Sequence, residues 1–345
     1  MRVMLAMSGG VDSSVCGHLL LKQGYHVEGV TFDIGVTSRE KFAKDVEDAK
    51  SVAKALSIPH KVVSFREMFK EQVVDPFVEG YKHGKTPNPC VICNRVLKFG
   101  ALLEYAMNQG YDKLATGHYA AVREVDGKMY LAKAKDQRKD QTYFLYGVAH
   151  WDKVLFPLGD YTKDEIREIA KDLGLRVGDK KDSQEVCFID KDYREFLESQ
   201  NISLPPKGSF VDGTGRILGC HLGIHNYTIG QRKGLNIALG HRAYVTGVDP
   251  ETNEVILGTE EALYKTLVKA RLPQTLAHPI LEDKVYEVKT RYKLTGDMAK
   301  VNYEDGCLYG HFDPPVRAPA PGQSMVVYDG DLVITGGEIV ASSNG

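Results

Sequence analysis

Val3-Met4-Leu5-Ala6-Met7-Ser8-Gly9-Gly10-Val11-Asp12-Ser13-Ser14 opens the chain. Residues 3–7 read as a buried strand and residues 15–21 as an apolar helical run, with two glycines turning one into the other. A turn of this kind makes a phosphate socket. Glycine lets backbone N–H groups approach an anion closely, and the helix N-terminus adds partial positive charge. No Gly-Lys-Ser/Thr follows, so the stretch is not the lysine-bearing P-loop. Taken alone it is also readable as a Gly-rich turn with a Ser/Asp cap.

Outward from this turn, the first half of the chain alternates strand and helix. Residues 27–32, 61–65 and 113–116 are strand-like. A helix capped by Ser38 is expected to run to Leu56, with Phe42, Val46, Ala49, Val52, Ala53 and Leu56 on one face. Residues 94–108 read as a helix stopped by Gly110. Thr162-Lys163-Asp164-Glu165 is a capping box for a helix reaching Leu173. This rhythm predicts an α/β fold with a doubly wound, mostly parallel sheet that takes ligands at its strand C-termini. The pattern changes near Asn201, and Leu204-Pro205-Pro206-Lys207-Gly208 reads as a linker. Short Gly-rich β segments follow to about Gly258, then a tail that reads as a small β-barrel interrupted by Pro314, Pro315, Pro319 and Pro321. The expected domains are 1–200, 201–265 and 266–345.

Composition narrows the class. The 345 residues are 43% hydrophobic and 26% charged, as in soluble globular domains. No apolar run approaches the roughly 18–20 residues that span a bilayer, so no membrane partner is expected. The start of the chain carries no signal-peptide pattern, and six cysteines do not make a secreted disulfide scaffold, so a cytoplasmic protein with reduced thiols is expected. The net charge is −2, so an RNA partner needs local basic patches. Lys128, Lys133, Lys135, Arg138 and Lys139 form one such run. Cys16 sits in an apolar helix and reads as core filler, while Cys220 and Cys307 are isolated.

The string Ser8–Ser14 resembles the pyrophosphate loop of N-type ATP pyrophosphatases. The chain as a whole resembles the bacterial tRNA 2-thiouridylases, which put sulfur on C2 of the wobble uridine. The landmarks are residues 6–14, Gly84-Lys85-Thr86-Pro87-Asn88-Pro89, Cys93-Asn94, Thr116-Gly117-His118-Tyr119, Lys139-Asp140-Gln141-Thr142-Tyr143-Phe144-Leu145, Ser183-Gln184-Glu185-Val186-Cys187-Phe188, and Tyr227-Thr228-Ile229-Gly230-Gln231-Arg232-Lys233-Gly234. The resemblance implies a pyrophosphatase-type catalytic domain, a small central domain and a C-terminal β-barrel. It implies ATP and Mg²⁺ as cofactors, the anticodon arm of tRNA as partner, and a sulfur donor, either sulfide or a carrier fed by a cysteine desulfurase. The implied ATP site is Ala6, Met7, Ser8, Gly9, Gly10, Val11, Asp12, Ser13, Phe32 and Gly117. Asn88, Pro89 and Cys90 fall against the target base. His118, Lys139, Asp140, Gln141, Arg291, Tyr292 and Gln323 fall at tRNA contacts. Cys93 falls at the nucleophile and Cys187 at the persulfide carrier. Without the family, His118 reads as a structural strand-end histidine and Lys139-Asp140-Gln141 as a polar helix start.

The sequence departs from the commoner family pattern at Cys90, where many members carry Asp. Two sulfur routes follow. In one, Cys187 carries the sulfur, Cys93 assists and the two pair as a disulfide afterwards. In the other, Cys90, Cys93 and Cys187 hold a [4Fe–4S] cluster with one open iron, as in the 2-thiocytidine synthetases. The cluster is the expected route, because a persulfide relay does not need Cys90. A zinc site lacks a fourth ligand, and a Cys90–Cys93 redox pair is a further reading. Other functions compatible with the loop are an amidotransferase or argininosuccinate-type ligase, or a non-catalytic RNA- or metal-binding protein.

Overall fold

The structure is a computed structural model that describes residues 1–35, 39–174, 186–189, 192–200, 202–272, 278–281, 283–292 and 295–344. The expected cap Ser38 and the Ser183-Gln184-Glu185 part of the cysteine motif lie outside the described residues. The chain divides into two compact units. One comprises Met1–Val73, Cys90–Phe188 and Asp331–Val333, and the other comprises Val74–Pro89, Ile189–Gly330 and Ile334–Gly345.

The first unit is built on Arg2–Ala6 (β1), His26–Asp33 (β2), His60–Ser64 (β3) and Lys113–Ala115 (β4). A hairpin of Ala121–Val125 (β5) and Lys128–Ala132 (β6) follows, then Val154–Leu155 (β7). Five strands form one parallel sheet in the order β3-β2-β1-β4-β7. The chain runs from β1 outward to β3 and then returns to the other side of β1. The switch point therefore falls at the C-terminal end of β1, where the phosphate turn begins. The expected doubly wound sheet is present. Its core joins Val3, Leu5, Val15, Cys16, Leu20, Ala115, Leu158 and Ile166, all at most 1% exposed. Each such aliphatic side chain contributes about 1.5–3 kcal/mol by leaving water. Cys16 is the core filler its sequence context predicts.

The helix expected over 94–108 is a composite. It starts as α over Pro89–Ile92, widens to π over Cys93–Leu102 and returns to α over Leu103–Asn108. An apolar-periodic sequence does not announce the wider turn. π segments carry i→i+5 bonds and cluster at functional sites.

In the second unit, Gly208–Val211 (β8), Ile217–His221 (β9), Tyr244–Asp249 (β10) and Glu254–Gly258 (β11) form a sheet in the order β10-β11-β8-β9. Its core is Phe210, Ile224, Tyr227, Val245, Val255 and Leu257. Tyr264–Arg271 (β12), Val285–Lys289 (β13), Asp297–Glu304 (β14), Cys307–Arg317 (β15), Ser324–Asp329 (β16) and Leu332–Ser343 (β17) make an antiparallel barrel closed by β12 against β17. Pro314 and Pro315 do not break it, contrary to expectation. The ladder to β12 jumps from Val316 to His311, and β14 stops at Phe312. The two prolines thus stand where no N–H is required of them.

Candidate active site

The phosphate turn is held open by its own sequence. Gly9 has φ +69°, and a Cβ there would lie 2.6 Å from Asp48 Cβ and 3.0 Å from Ala49 N. Only glycine satisfies both that backbone and the close approach. The helix Val11–Lys22 is capped by Gly10, which offers no side chain to the first N–H groups. Ser13 and Ser14 turn their hydroxyls back onto Gly10 O, at 3.1 and 2.8 Å. The leading N–H groups of a 12-residue helix are left for an anion. Phe32 is the last residue but one of β2, and Gly117 follows β4, where a Cβ would sit 3.3 Å from Ser13 N. The predicted ATP residues are thus gathered at the C-terminal ends of neighbouring strands.

Asp12 is held by partners distant in sequence. Lys163 Nζ donates to both its carboxylate oxygens, at 2.8 and 2.9 Å, and Tyr119 Oη donates to Oδ1 at 2.9 Å. The Lys163 side chain is only 5% exposed. The capping box around Thr162 fixes the start of its helix, and Asp136 Oδ2 accepts the Lys163 N–H at 3.0 Å. Sequence reading takes Lys163 as a helix-start residue, and nothing in its neighbourhood points to Asp12. Gln141 braces the same network by bonding Tyr119 N and O, each at 2.9 Å.

The thiols form a second group. Cys93 is buried, Cys90 is half-buried and Cys187 is exposed in a turn; all three are free. Burial pushes the Cys93 thiol up to about 12 and the Cys90 thiol up to about 11. Crowding by protein atoms raises Cys187 as well, despite its surface position. The Lys98 ammonium pulls all three down, and Cys187 in turn raises the other two. The three thiols therefore share one electrostatic neighbourhood. Among the described residues, however, no group of three Cys, His, Asp or Glu is arranged to hold a metal ion. No step is routed through a cluster. Asn94 donates to Phe144 O at 3.1 Å, while its Oδ1 is buried with no partner among the described residues. Such an orphan costs about 1–3 kcal/mol.

Lys98 also links the two groups. Its ammonium lies 3.4 Å from His118 Nε2, and His118 Nδ1 lies 2.7 Å from Thr116 Oγ1. Phe99 and Phe156 pack around the ring. Burial first, and the Lys98 charge second, hold His118 well below the ordinary imidazole value, so the ring is neutral. Nε2 then accepts from Lys98 and Nδ1–H donates to Thr116. The linkage sign follows. Below about pH 6.5 the unfolded chain binds a proton that the folded chain refuses, so stability falls by about 1.4 kcal/mol per pH unit for this one histidine. Urea midpoints at pH 7.5 and 5.5 should therefore differ less in His118→Gln than in the wild type.

Several residues expected at tRNA contacts have internal duties. The Asp140 carboxylate is 5% exposed and accepts from Ala134 N and Thr142 Oγ1. Arg291 donates to Ala318 O and Ile229 O. Gln323 donates to Thr86 O. Lys139 and Tyr292 are half-buried. The basic run is also less open than it reads, since Lys135 pairs with Glu165 and Arg138 with Asp136.

A parallel sheet with an open helix N-terminus at its switch point, a paired carboxylate and neighbouring thiols defines a nucleotide-binding α/β protein equipped for sulfur chemistry. Three family models match: a tRNA methyl transferase HUP domain over residues 1–191, a tRNA methyl transferase PRC-barrel domain over 194–259 and an aminomethyltransferase beta-barrel domain over 268–339. The tRNA-specific 2-thiouridylase MnmA of Clostridium botulinum (strain Alaska E43 / Type E3) is 44% identical over 357 residues, covering 99% of this chain and 98% of that protein. That of Clostridium acetobutylicum is 43% identical over 353 residues, covering 98% and 99%. A solved structure described as the U34-tRNA thiolase NcsA from Methanococcus maripaludis with its [4Fe-4S] cluster is 20% identical, covers 58% of this chain and 65% of that one, and has a TM-score of 0.37. The chain belongs to the tRNA-specific 2-thiouridylase MnmA family.

Proposed function

We propose that the protein is an ATP-dependent tRNA 2-thiouridylase. It transfers AMP from ATP to the C2 oxygen of the wobble uridine, releases pyrophosphate, and replaces the activated oxygen with sulfur as AMP leaves. The observation that carries this reading is the connection from phosphate socket to thiols. Gly117 abuts Ser13, His118 follows Gly117, and Lys98 contacts His118 while its charge acts on Cys90, Cys93 and Cys187.

In this reading the N–H groups at the start of the helix Val11–Lys22 hold the departing pyrophosphate, where preorganised donors act on developing charge. Asp12 with phosphate oxygens makes a donor set that suits Mg²⁺, which takes one or two carboxylates plus substrate phosphates. When bound, the ion neutralises phosphate charge. Asn88, Pro89 and Cys90 face the base. The wobble base lies in a single-stranded loop and is extruded at modest unstacking cost. For sulfur this reading takes the cysteine relay. A persulfide on Cys187 attacks C2 and expels AMP. The Cys93 thiol then attacks the Cys187 sulfur and gives up its proton to the released base, leaving a Cys93–Cys187 disulfide and the thiocarbonyl. An external thiol reduces the disulfide and a sulfur donor reloads Cys187. The division 1–200, 201–265 and 266–345 into catalytic, central and barrel domains belongs to this reading, as does a cytoplasmic setting. Among the described residues no helix is long and apolar enough to cross a membrane.

Product analysis tests it. With ATP and tRNA the protein should give AMP and pyrophosphate; ADP and inorganic phosphate would refute it. Recognition of the anticodon arm should rest on local basic residues, because the net charge is −2. Arg232 and Lys233 are exposed on the central domain. Their reversal to Glu should weaken tRNA binding, flatten its salt dependence by about one counterion per lost phosphate contact, and leave ATP binding unchanged. Filter binding across a salt series reads the slope.

A further inference from the structure

Residues 84–89, the segment that the proposed function sets against the target base, are clamped within the second unit by two other elements. Thr86 N–H donates to Pro321 O at 2.8 Å, and Gln323 Nε2 donates to Thr86 O at 2.8 Å. Between them Gly322, at φ +89°, brings its backbone so close that a Cβ would lie 2.9–3.0 Å from Thr86 N, C and O. That turn of the barrel is itself fixed: Gly322 N donates to Ile339 O, and Ile339 N donates to Gln323 O. From the loop that precedes β10, Thr228 Oγ1 accepts from Thr86 Oγ1 at 3.3 Å. A Cβ on Gly84, at φ +65°, would lie 2.5 Å from Val248 Cγ1. Lys85 adds an ion pair to Glu338 at 3.5 Å, half-exposed and weak.

We infer that Gly322 and Gln323 are positioning residues: the barrel sets the placement of Thr86-Pro87-Asn88-Pro89, and through it the presentation of the base. The inference rests on the proposed thiouridylase reading. It assigns the Gln323 amide to the chain's own loop, whereas the family resemblance places Gln323 on tRNA. The physical reason is economy of backbone donors. Pro87 and Pro89 have no N–H, so the loop has few groups with which to fix itself, and the two hydrogen bonds at Thr86 with a glycine-only approach fill that lack. A base misplaced by about 1 Å from its reacting partners costs up to about 100-fold in rate.

The test compares Gly322→Ala and Gln323→Ala with wild type in the full-length protein. Three readouts are tRNA thiolation kinetics, direct tRNA binding and hydrogen exchange of the peptide containing Thr86. Gly322 has no side chain to offer an RNA, so its variant isolates the loop. Gln323→Ala is the milder change should Gly322→Ala fold poorly, with thermal melting and ATP binding as fold controls. The expected result is exchange at Thr86 faster by about 10-fold, kcat lower by about 10- to 100-fold, and KM and Kd for tRNA within about two-fold of wild type. A raised KM and Kd with unchanged kcat assigns Gln323 to tRNA and overturns the inference. Unchanged kcat despite faster exchange overturns it as well, leaving the clamp merely structural. Absence of thiolation by the wild type refutes the functional reading itself, and the inference falls with it.

Discussion

Asp12→Asn is expected to reduce AMP and pyrophosphate release by about 100- to 1,000-fold, the scale on which a lost electrostatic partner acts in a preorganised site. The same change is expected to destabilise the fold. In the native protein the carboxylate faces Lys163 Nζ at 2.8 and 2.9 Å, and the Lys163 side chain is 5% exposed. Asparagine keeps the shape but leaves that ammonium without its counter-charge. Breaking a buried pair from one side costs about 3–5 kcal/mol; Asp12 is itself one-third exposed, so the loss should fall near about 3 kcal/mol. Adding Lys163→Met removes the stranded charge and should restore most of the urea midpoint without restoring turnover. Midpoints and pyrophosphate release, measured on both variants, separate the two roles. Full turnover by Asp12→Asn would remove the residue from the chemistry.

The cysteines give the second large effect. Cys93→Ser and Cys187→Ser should each abolish thiolation, because serine neither carries a persulfide sulfur nor attacks one. Cys90→Ser should retain it, since the relay gives that thiol no part. Loss of thiolation in Cys90→Ser would return all three cysteines to the sulfur step. The pH dependence has a definite sign. With Cys93 pushed up to about 12 and Cys90 up to about 11, both are protonated at neutral pH. Their alkylation should climb about tenfold per pH unit between pH 7 and 10, in step with the thiolate fraction. Lys98→Met removes the cation that lowers all three thiols, so alkylation at a given pH should slow. Mass spectrometry of iodoacetamide-treated protein resolves each site.

How far the sequence reached depends on the range of the interactions. The phosphate turn was legible because its requirements are local: a strand, two glycines and a helix start lie within residues 3–21. The Lys163–Asp12 pair was not, because 151 residues separate the partners and each has an ordinary local reading, one in a capping box and the other in a glycine turn. Local pattern likewise hid the π segment Cys93–Leu102, whose apolar spacing suits an α-helix nearly as well. The prolines of β15 read as breakers because a ladder vacancy is a property of strand neighbours rather than of the proline's own sequence. The basic run at 128–139 read as a phosphate surface until the fold brought Glu165 to Lys135; the Arg138–Asp136 pair, two residues apart, was local and was passed over. The hairpin β5–β6, which carries the first of those lysines, left no mark in the sequence reading.

The most direct measurement is mass spectrometry of nucleosides from tRNA incubated with the protein, ATP, Mg²⁺ and a persulfide donor (a cysteine desulfurase with cysteine) under a thiol reductant. The account predicts 2-thiouridine-type nucleosides at the wobble position, formed with stoichiometric AMP and pyrophosphate and lost in Cys93→Ser. Unmodified tRNA with ATP left intact, or ATP cleaved to ADP and phosphate, would contradict it.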